Sequence, residues 1–258
     1  MLLAENDNFP SSENLPESVL SLNRQLQLSS WNNSQQAIQG PGGESYTPQF
    51  IPLLIGIPQE GDGYPYSQIF NGVTPLPNEM ALGATWDPGL ARQVGEVLGR
   101  ELFSMGFNLL LGRSLDVLET PHAEGSTDLG VRTFGGDPYW VGEMGKAYVS
   151  GVHAGSQNHI AVVARHCPGH GAADRLPEQE VATVRKSLSQ LTDFDLVPFF
   201  AVTGEAPSPE ATLDGLLTSH IRYQGFQGNI RDTTRPVTLD PQAFNELLQL
   251  EPIKLWRS

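Results

Sequence analysis

Short, uninterrupted apolar runs alternate along this chain with stretches of helical period, and that alternation constrains the fold more than any other feature. Ile51 to Ile57 reads IPLLIGI, Phe107 to Leu111 reads FNLLL, and His159 to Arg165 contains the unbroken run Ile160 to Ala164. Runs of this length without polar alternation suit strands buried on both faces, as in a parallel sheet covered by helices. Met1 to Ala4 reads as the tail of another strand, Thr212 to Ser219 as a further one, and Leu115 to Val117 as an extension of the FNLLL strand past a bulge.

The intervening stretches carry helix signals. Asp87 to Met105 and Asp137 to Gly155 both open on Asp-Pro, an N-cap acceptor followed by the residue best suited to the first helical position, and Asp240 to Leu250 repeats the pattern. Pro16 to Leu28 has a leucine-rich face, and Glu180 to Thr203 is helical in pattern with breaks near Asp193 and Pro198. Residues 29–50 are rich in Ser, Asn, Gln and Gly and read as a loop or disordered insert within a single domain spanning 1–258. Strand, helix, strand, helix is the order of an α/β fold. Long loops after the strands, Gln59 to Pro77 and Leu118 to Gly136, favour a (β/α) barrel over a doubly wound sheet. No glycine-rich phosphate fingerprint follows any strand, so no dinucleotide cofactor is expected, nor any other cofactor.

Charge narrows the partners. Fifteen basic against 29 acidic residues give a net charge of −14, which repels nucleic acid and anionic lipid but leaves a neutral carbohydrate unconstrained. No run of about 18 apolar residues suggests a membrane span. The single cysteine, Cys167, and the absence of a signal-peptide pattern lean toward a reducing, cytoplasmic compartment. Cys167 follows an apolar strand and reads as a small buried hydrophobe, with a nucleophilic role as the sharper alternative.

Polar groups gather where the strands end. The first loop offers Gln59, Glu60 and Asp62; the second Asp116, Glu119 and Arg132; the third Arg165, His166 and His170; the fourth His220 and Arg222. In a barrel these ends share one face, which carries the active site. Arginine and histidine donors there suit sugar hydroxyls or a carboxylate. Each has a plainer reading: Arg132 paired to Asp128 or Asp137, Asp116 capping its own loop, His220 bracing backbone. His166 and His170, with Asp116, could form a metal site, but Pro168 and Gly169 break the helical spacing and no metal is expected.

At these residues the chain resembles the N-terminal barrel domain of glycoside hydrolase family 3. The resemblance rests on PLLIGIPQEG (Pro52 to Gly61), MALGATWDP (Met80 to Pro88), LGRELFSMGFNLLLGRSLDV (Leu98 to Val117), RTFGGDP (Arg132 to Pro138), RHCPGHG (Arg165 to Gly171) and LLTSHI (Leu216 to Ile221). The RHCPGHG piece points to the β-N-acetylhexosaminidase-like branch. The resemblance implies a (β/α)8 TIM-type barrel, retaining hydrolysis of terminal β-linked sugars (β-N-acetylhexosaminide or β-glucoside), and sugar-hydroxyl contacts by Arg132, Arg165 and His166, with Asp116 near the same subsite.

Three departures accompany it. Pro58 stands where the family has a sugar-gripping Asp. The family's Asp-x-His acid/base loop would fall on Leu176 and Glu178, leaving Glu178 and Asp174 as candidate proton donors, with solvated loop charges as the plainer reading. The nucleophile's Ser-Asp-Asp-like strand, expected after Asp240 to Leu250, is not in the sequence, and about five of eight barrel strands are counted, roughly the first and the last two being absent. The alternative function is a non-catalytic carbohydrate-binding or interaction protein on a degenerate barrel.

Overall fold

The apolar runs form strands. A computed structural model of the chain describes residues 1–3, 8, 14–61, 67–119, 129–175 and 180–258. β1 (Leu2–Leu3) leads through α1 (Leu15–Ser34) to a small antiparallel hairpin, β2 (Ile38–Gln39) and β3 (Ser45–Tyr46), and on to β4 (Ile55–Ile57). Helices α2 (Glu79–Gly83) and α3 (Pro88–Ser104) precede β5 (Leu109–Ser114), and α4 (Pro138–Gly155) precedes β6 (Ala161–Cys167). β7 (Thr183–Val184) is followed by α5 (Leu188–Gln190), a π-turn at Leu191–Asp195 and α6 (Val197–Ala201). β8 (Gly215–Thr218), β9 (Arg222–Tyr223), α7 (Gln224–Gln227), α8 (Pro241–Gln249) and α9 (Glu251–Arg257) complete the order.

Five strands make one sheet in the order β1-β4-β5-β6-β8, each neighbour parallel. The fold is therefore α/β with a parallel sheet. Among the described residues the sheet is open: no strand joins β8 to β1. β7 and β9 pair separately, in parallel, beside it.

All three Asp-Pro starts work as the sequence implies. Asp87 accepts from Gly89 N and Asp137 from Trp140 N, and Asp240 caps α8 through Gln242 N and Ala243 N. α3 and α4 pack unusually close. A side chain at Gly95 or Gly99 would strike the backbone of Tyr148 or Val152, and one at Gly151 or Gly155 that of Arg92 or Glu96. Leu98 and Leu102 from α3 and Met144, Tyr148 and Val152 from α4 then meet Ile55, Leu110 and Val162 of the sheet in the core.

Three expectations change. α1 runs on to Ser34, six residues into the stretch read as a loop, and the hairpin β2–β3 follows within it. The strand read as Phe107 to Leu111 starts at Leu109 and runs through Arg113 to Ser114, because Arg113 finds buried partners there. The helix read from Glu180 begins only at Leu188, where Ser187 and Gln190 form a capping box; Thr183 and Val184 are strand instead.

Candidate functional site

β6 ends on Arg165, His166 and Cys167, and the chain then turns through Pro168 to Gly171. Neighbouring strands place a buried carboxylate behind each of the two basic residues. Glu60, just past β4 and 1% exposed, forms an ion pair with Arg165. Asp116, just past β5 and fully buried, meets His166 Nδ1 at 2.7 Å. The strand between them allows this closeness at Gly112, whose φ is +93°, and a side chain there would lie 3.2 Å from both the Arg165 guanidinium and the Glu60 carboxylate.

Asp116 is fully engaged. Its Oδ2 also accepts from Ser114 Oγ at 2.7 Å, and its Oδ1 accepts from the His170 backbone N–H at 2.5 Å. Burial alone would push this carboxyl up, but the pull of His166 and then of His170 and Ser114 holds it below the ordinary aspartate value. Asp116, His166 and His170 bring a carboxylate oxygen and two ring nitrogens within 4.8 Å of one another, a donor set a divalent cation could use. In this structure hydrogen bonds join the same residues.

A second buried network supports the first. Arg113 donates to the Glu60 carbonyl at 2.8 Å and to the Tyr148 hydroxyl at 2.7 Å, and lies 3.5 Å from Glu79. Glu79 in turn accepts from Ser114 N at 3.2 Å. The opposite side of the turn is held by Tyr223, whose hydroxyl donates to the Gly169 carbonyl at 2.9 Å and also meets Ser219 Oγ.

The other sequence candidates divide. Arg132 is 8% exposed and its Nε donates to Leu129 O at 3.2 Å, while neighbouring Thr133 donates to the Asp116 carbonyl at 2.7 Å, so this loop is tied to the strand end that carries Asp116. Asp174 is committed elsewhere: it accepts from Thr183 N at 2.8 Å and pairs with Arg175, which also pairs with Glu180. Glu178 and Asp62 lie outside the described residues. His220, read as a possible backbone brace, instead contacts the Thr238 hydroxyl at 2.7 Å, and Arg222 donates to the carbonyls of Thr234 and Asp232. Glu119 pairs with Lys186, which also holds buried Asp195. Cys167 is buried, and desolvation pushes its thiol well above the ordinary range, with Asp116 adding to the effect, in keeping with a small buried hydrophobe.

The sequence reading missed Glu79, Arg113 and Tyr148. One signal was available: an arginine inside an apolar strand, LLLGRS, demands buried partners.

Comparison with known proteins decides the family. The model of the glycosyl hydrolase family 3 N terminal domain matches residues 17–251. This chain belongs to glycosyl hydrolase family 3. Among family 3 relatives, a beta-hexosaminidase of Nitrosomonas eutropha is 29% identical over 237 residues, covering 88% of this chain and 61% of the relative. One of Thiobacillus denitrificans is 30% identical over 178 residues, covering 67% of this chain and 45% of the relative. A family 3 beta-N-acetylglucosaminidase structure from Paenibacillus superposes with a TM-score of 0.78 at 27% identity, over 97% of this chain and 40% of that one. The chain thus spans about half the length of the relatives it matches. Among the described residues, no helix of this family 3 domain is long and apolar enough to cross a membrane.

Proposed function

We propose that this domain supplies the sugar-binding half of a retaining β-hexosaminidase site, on five strands of a (β/α)8 barrel. The observation that carries the reading is the Arg165–His166 pair at the carboxyl end of β6, each residue backed by a buried carboxylate. A fixed, charge-compensated basic pair at a strand end suits the hydroxyls of a neutral sugar. Arg132 joins them from the loop tied to Asp116, and Asp116 belongs to the same subsite. The names of the beta-hexosaminidase relatives favour a terminal β-linked N-acetylhexosamine as substrate, with β-glucoside next. Of the two acid/base candidates, Asp174 has its carboxylate occupied by Thr183 N and Arg175, so Glu178 takes the role.

Titration with N-acetyl-D-glucosamine, followed by amide chemical shifts, tests the reading. Saturable binding is expected, with shifts centred on Arg165 to Gly171, and Arg165→Ala or His166→Ala should each weaken it by roughly tenfold or more. Affinity unchanged by either substitution would place the sugar elsewhere.

Pro58, where the family carries a sugar-gripping Asp, supports a second reading: carbohydrate binding without hydrolysis. The two part on turnover. Hydrolysis of an aryl N-acetyl-β-glucosaminide by the full-length protein, lost in Glu178→Gln, supports the catalytic reading; binding without turnover supports the other.

A further inference from the structure

We infer that Asp116 acts on the sugar only through His166, as a positioning residue that fixes the imidazole in its Nδ1–H form and leaves Nε2 for the ligand. The inference rests on the sugar-binding reading above and refines the part Asp116 plays in it.

Asp116 can reach little beyond its present partners. It is fully buried, and its two oxygens already take two donors besides anything from His166: Ser114 Oγ on one and the His170 backbone N–H on the other. A carboxylate without exposed surface and with both oxygens engaged offers a sugar hydroxyl nothing. His166 differs: its side chain is 20% exposed. An ionised carboxylate only accepts, so the 2.7 Å contact requires Nδ1 to be the donor. That Asp116 accepts on both oxygens, from Ser114 Oγ and from the His170 N–H, agrees with its being ionised. With the Nδ1 proton given to Asp116, Nε2 is the ring nitrogen left at the edge away from Asp116.

The surroundings hold this arrangement. Ser114 and the His170 N–H fix the carboxylate from two sides, and Thr133 fixes its backbone. Glu60 does the same for Arg165 from the next strand, so the basic pair reaches the ligand already ordered, and binding need not bear that entropy.

The first measurement is the long-range proton–nitrogen spectrum of the imidazoles in chelator-treated, nitrogen-labelled protein. The chain has six histidines, and His166→Gln assigns the resonance. The wild type should show His166 as the Nδ1–H form. In Asp116→Asn the new amide can donate to Nδ1, and the ring should shift toward Nε2–H.

The second measurement is affinity for N-acetyl-D-glucosamine. Asp116→Asn and His166→Gln should each weaken it, by roughly tenfold for one lost hydrogen bond. The double variant should bind no more weakly than His166→Gln alone, because Asp116 has no route to the sugar except the ring. An Nε2–H ring in the wild type, or an Asp116→Asn loss that adds fully to that of His166→Gln, overturns the inference. Should Asp116→Asn not fold, the wild-type spectrum still decides. Should the wild type bind no sugar, the functional reading falls, while the ring spectra still support or overturn the positioning role.

Discussion

Arg165 and His166 are ordinary surface-type residues made specific by what stands behind them. Glu60 is 105 positions away from Arg165 in sequence, yet 1% exposed and in direct contact with it. Removing one partner of such a pair leaves the other without its counter-charge. Glu60→Gln should therefore destabilise the domain by about 3 kcal/mol, the lower end of the range for broken buried pairs, since Arg165 keeps some access to water. Urea unfolding checks this, and an unchanged midpoint would show that the pair contributes nothing net. The basic pair was legible in the sequence because an apolar run ends on it. Its carboxylate partners were visible only as strand-end acids. Which acid meets which base depends on register between neighbouring strands, and no local pattern encodes register. Glu79 was harder still: it opens a five-residue helix in a stretch without periodicity, and only the fold brings it to Ser114 and Arg113.

Elements announce themselves where a local signal is strong. The Asp-Pro starts located α3, α4 and α8, while α1 outran its expected end because Ser, Asn and Gln are poor helix breakers when a helix is already under way. The α3–α4 contact hides in plain view as glycines four apart on both helices, Gly95 and Gly99 against the backbone of Tyr148 and Val152, Gly151 and Gly155 against that of Arg92 and Glu96. Gly99→Val should cost more than the 1–3 kcal/mol typical of an overfilled core, roughly 3 kcal/mol or above, because backbone rather than a movable side chain blocks it. A melting temperature within a degree or two of the wild type would contradict that. At the other end of α4, His153 bridges the Glu210 carbonyl at 2.8 Å and the Asp214 carboxylate at 2.9 Å, and Asp214 also accepts from Val162 N. Burial lowers the His153 value, but Asp214 and the Glu210 carbonyl outweigh it and the net shift is upward from 6.5. Burial likewise opposes the downward shift of Asp214 from 3.8, and His153 and Val162 N prevail. A raised histidine stabilises fully below its unfolded value and loses that as pH rises; a depressed aspartate stabilises above its unfolded value and loses that as pH falls. The pair therefore helps most between about pH 4 and 6.5. His153→Gln should lower the melting temperature more at pH 5.5 than at pH 8.5, and a pH-independent difference would refute the charged pair.

At the scale of the whole molecule, alternation of apolar runs with helices was enough to read an α/β fold and all five strands of the parallel sheet. The strands lie side by side in chain order, as the barrel reading implies, whereas the separate pairing of β7 with β9 carried no local signal. The order matters for solution behaviour. β8 pairs only with β6 among the described residues, and its Leu217 is 47% exposed. An open, apolar strand edge is a template for another chain. Against it stands the net charge of −14, which keeps copies apart over roughly 10 Å at 0.1 M salt and over about 3 Å at 1 M. The two effects predict opposite responses to ionic strength, so salt separates them. The 258-residue chain should stay dispersed at low salt and associate as salt rises and repulsion is screened. Leu217→Lys should suppress that association by placing a charge on the edge itself. Light scattering across a salt series checks both points. Association that falls with added salt would mean that charge pairs rather than the sheet edge hold the copies together, and association equal in Leu217→Lys would move the contact away from β8.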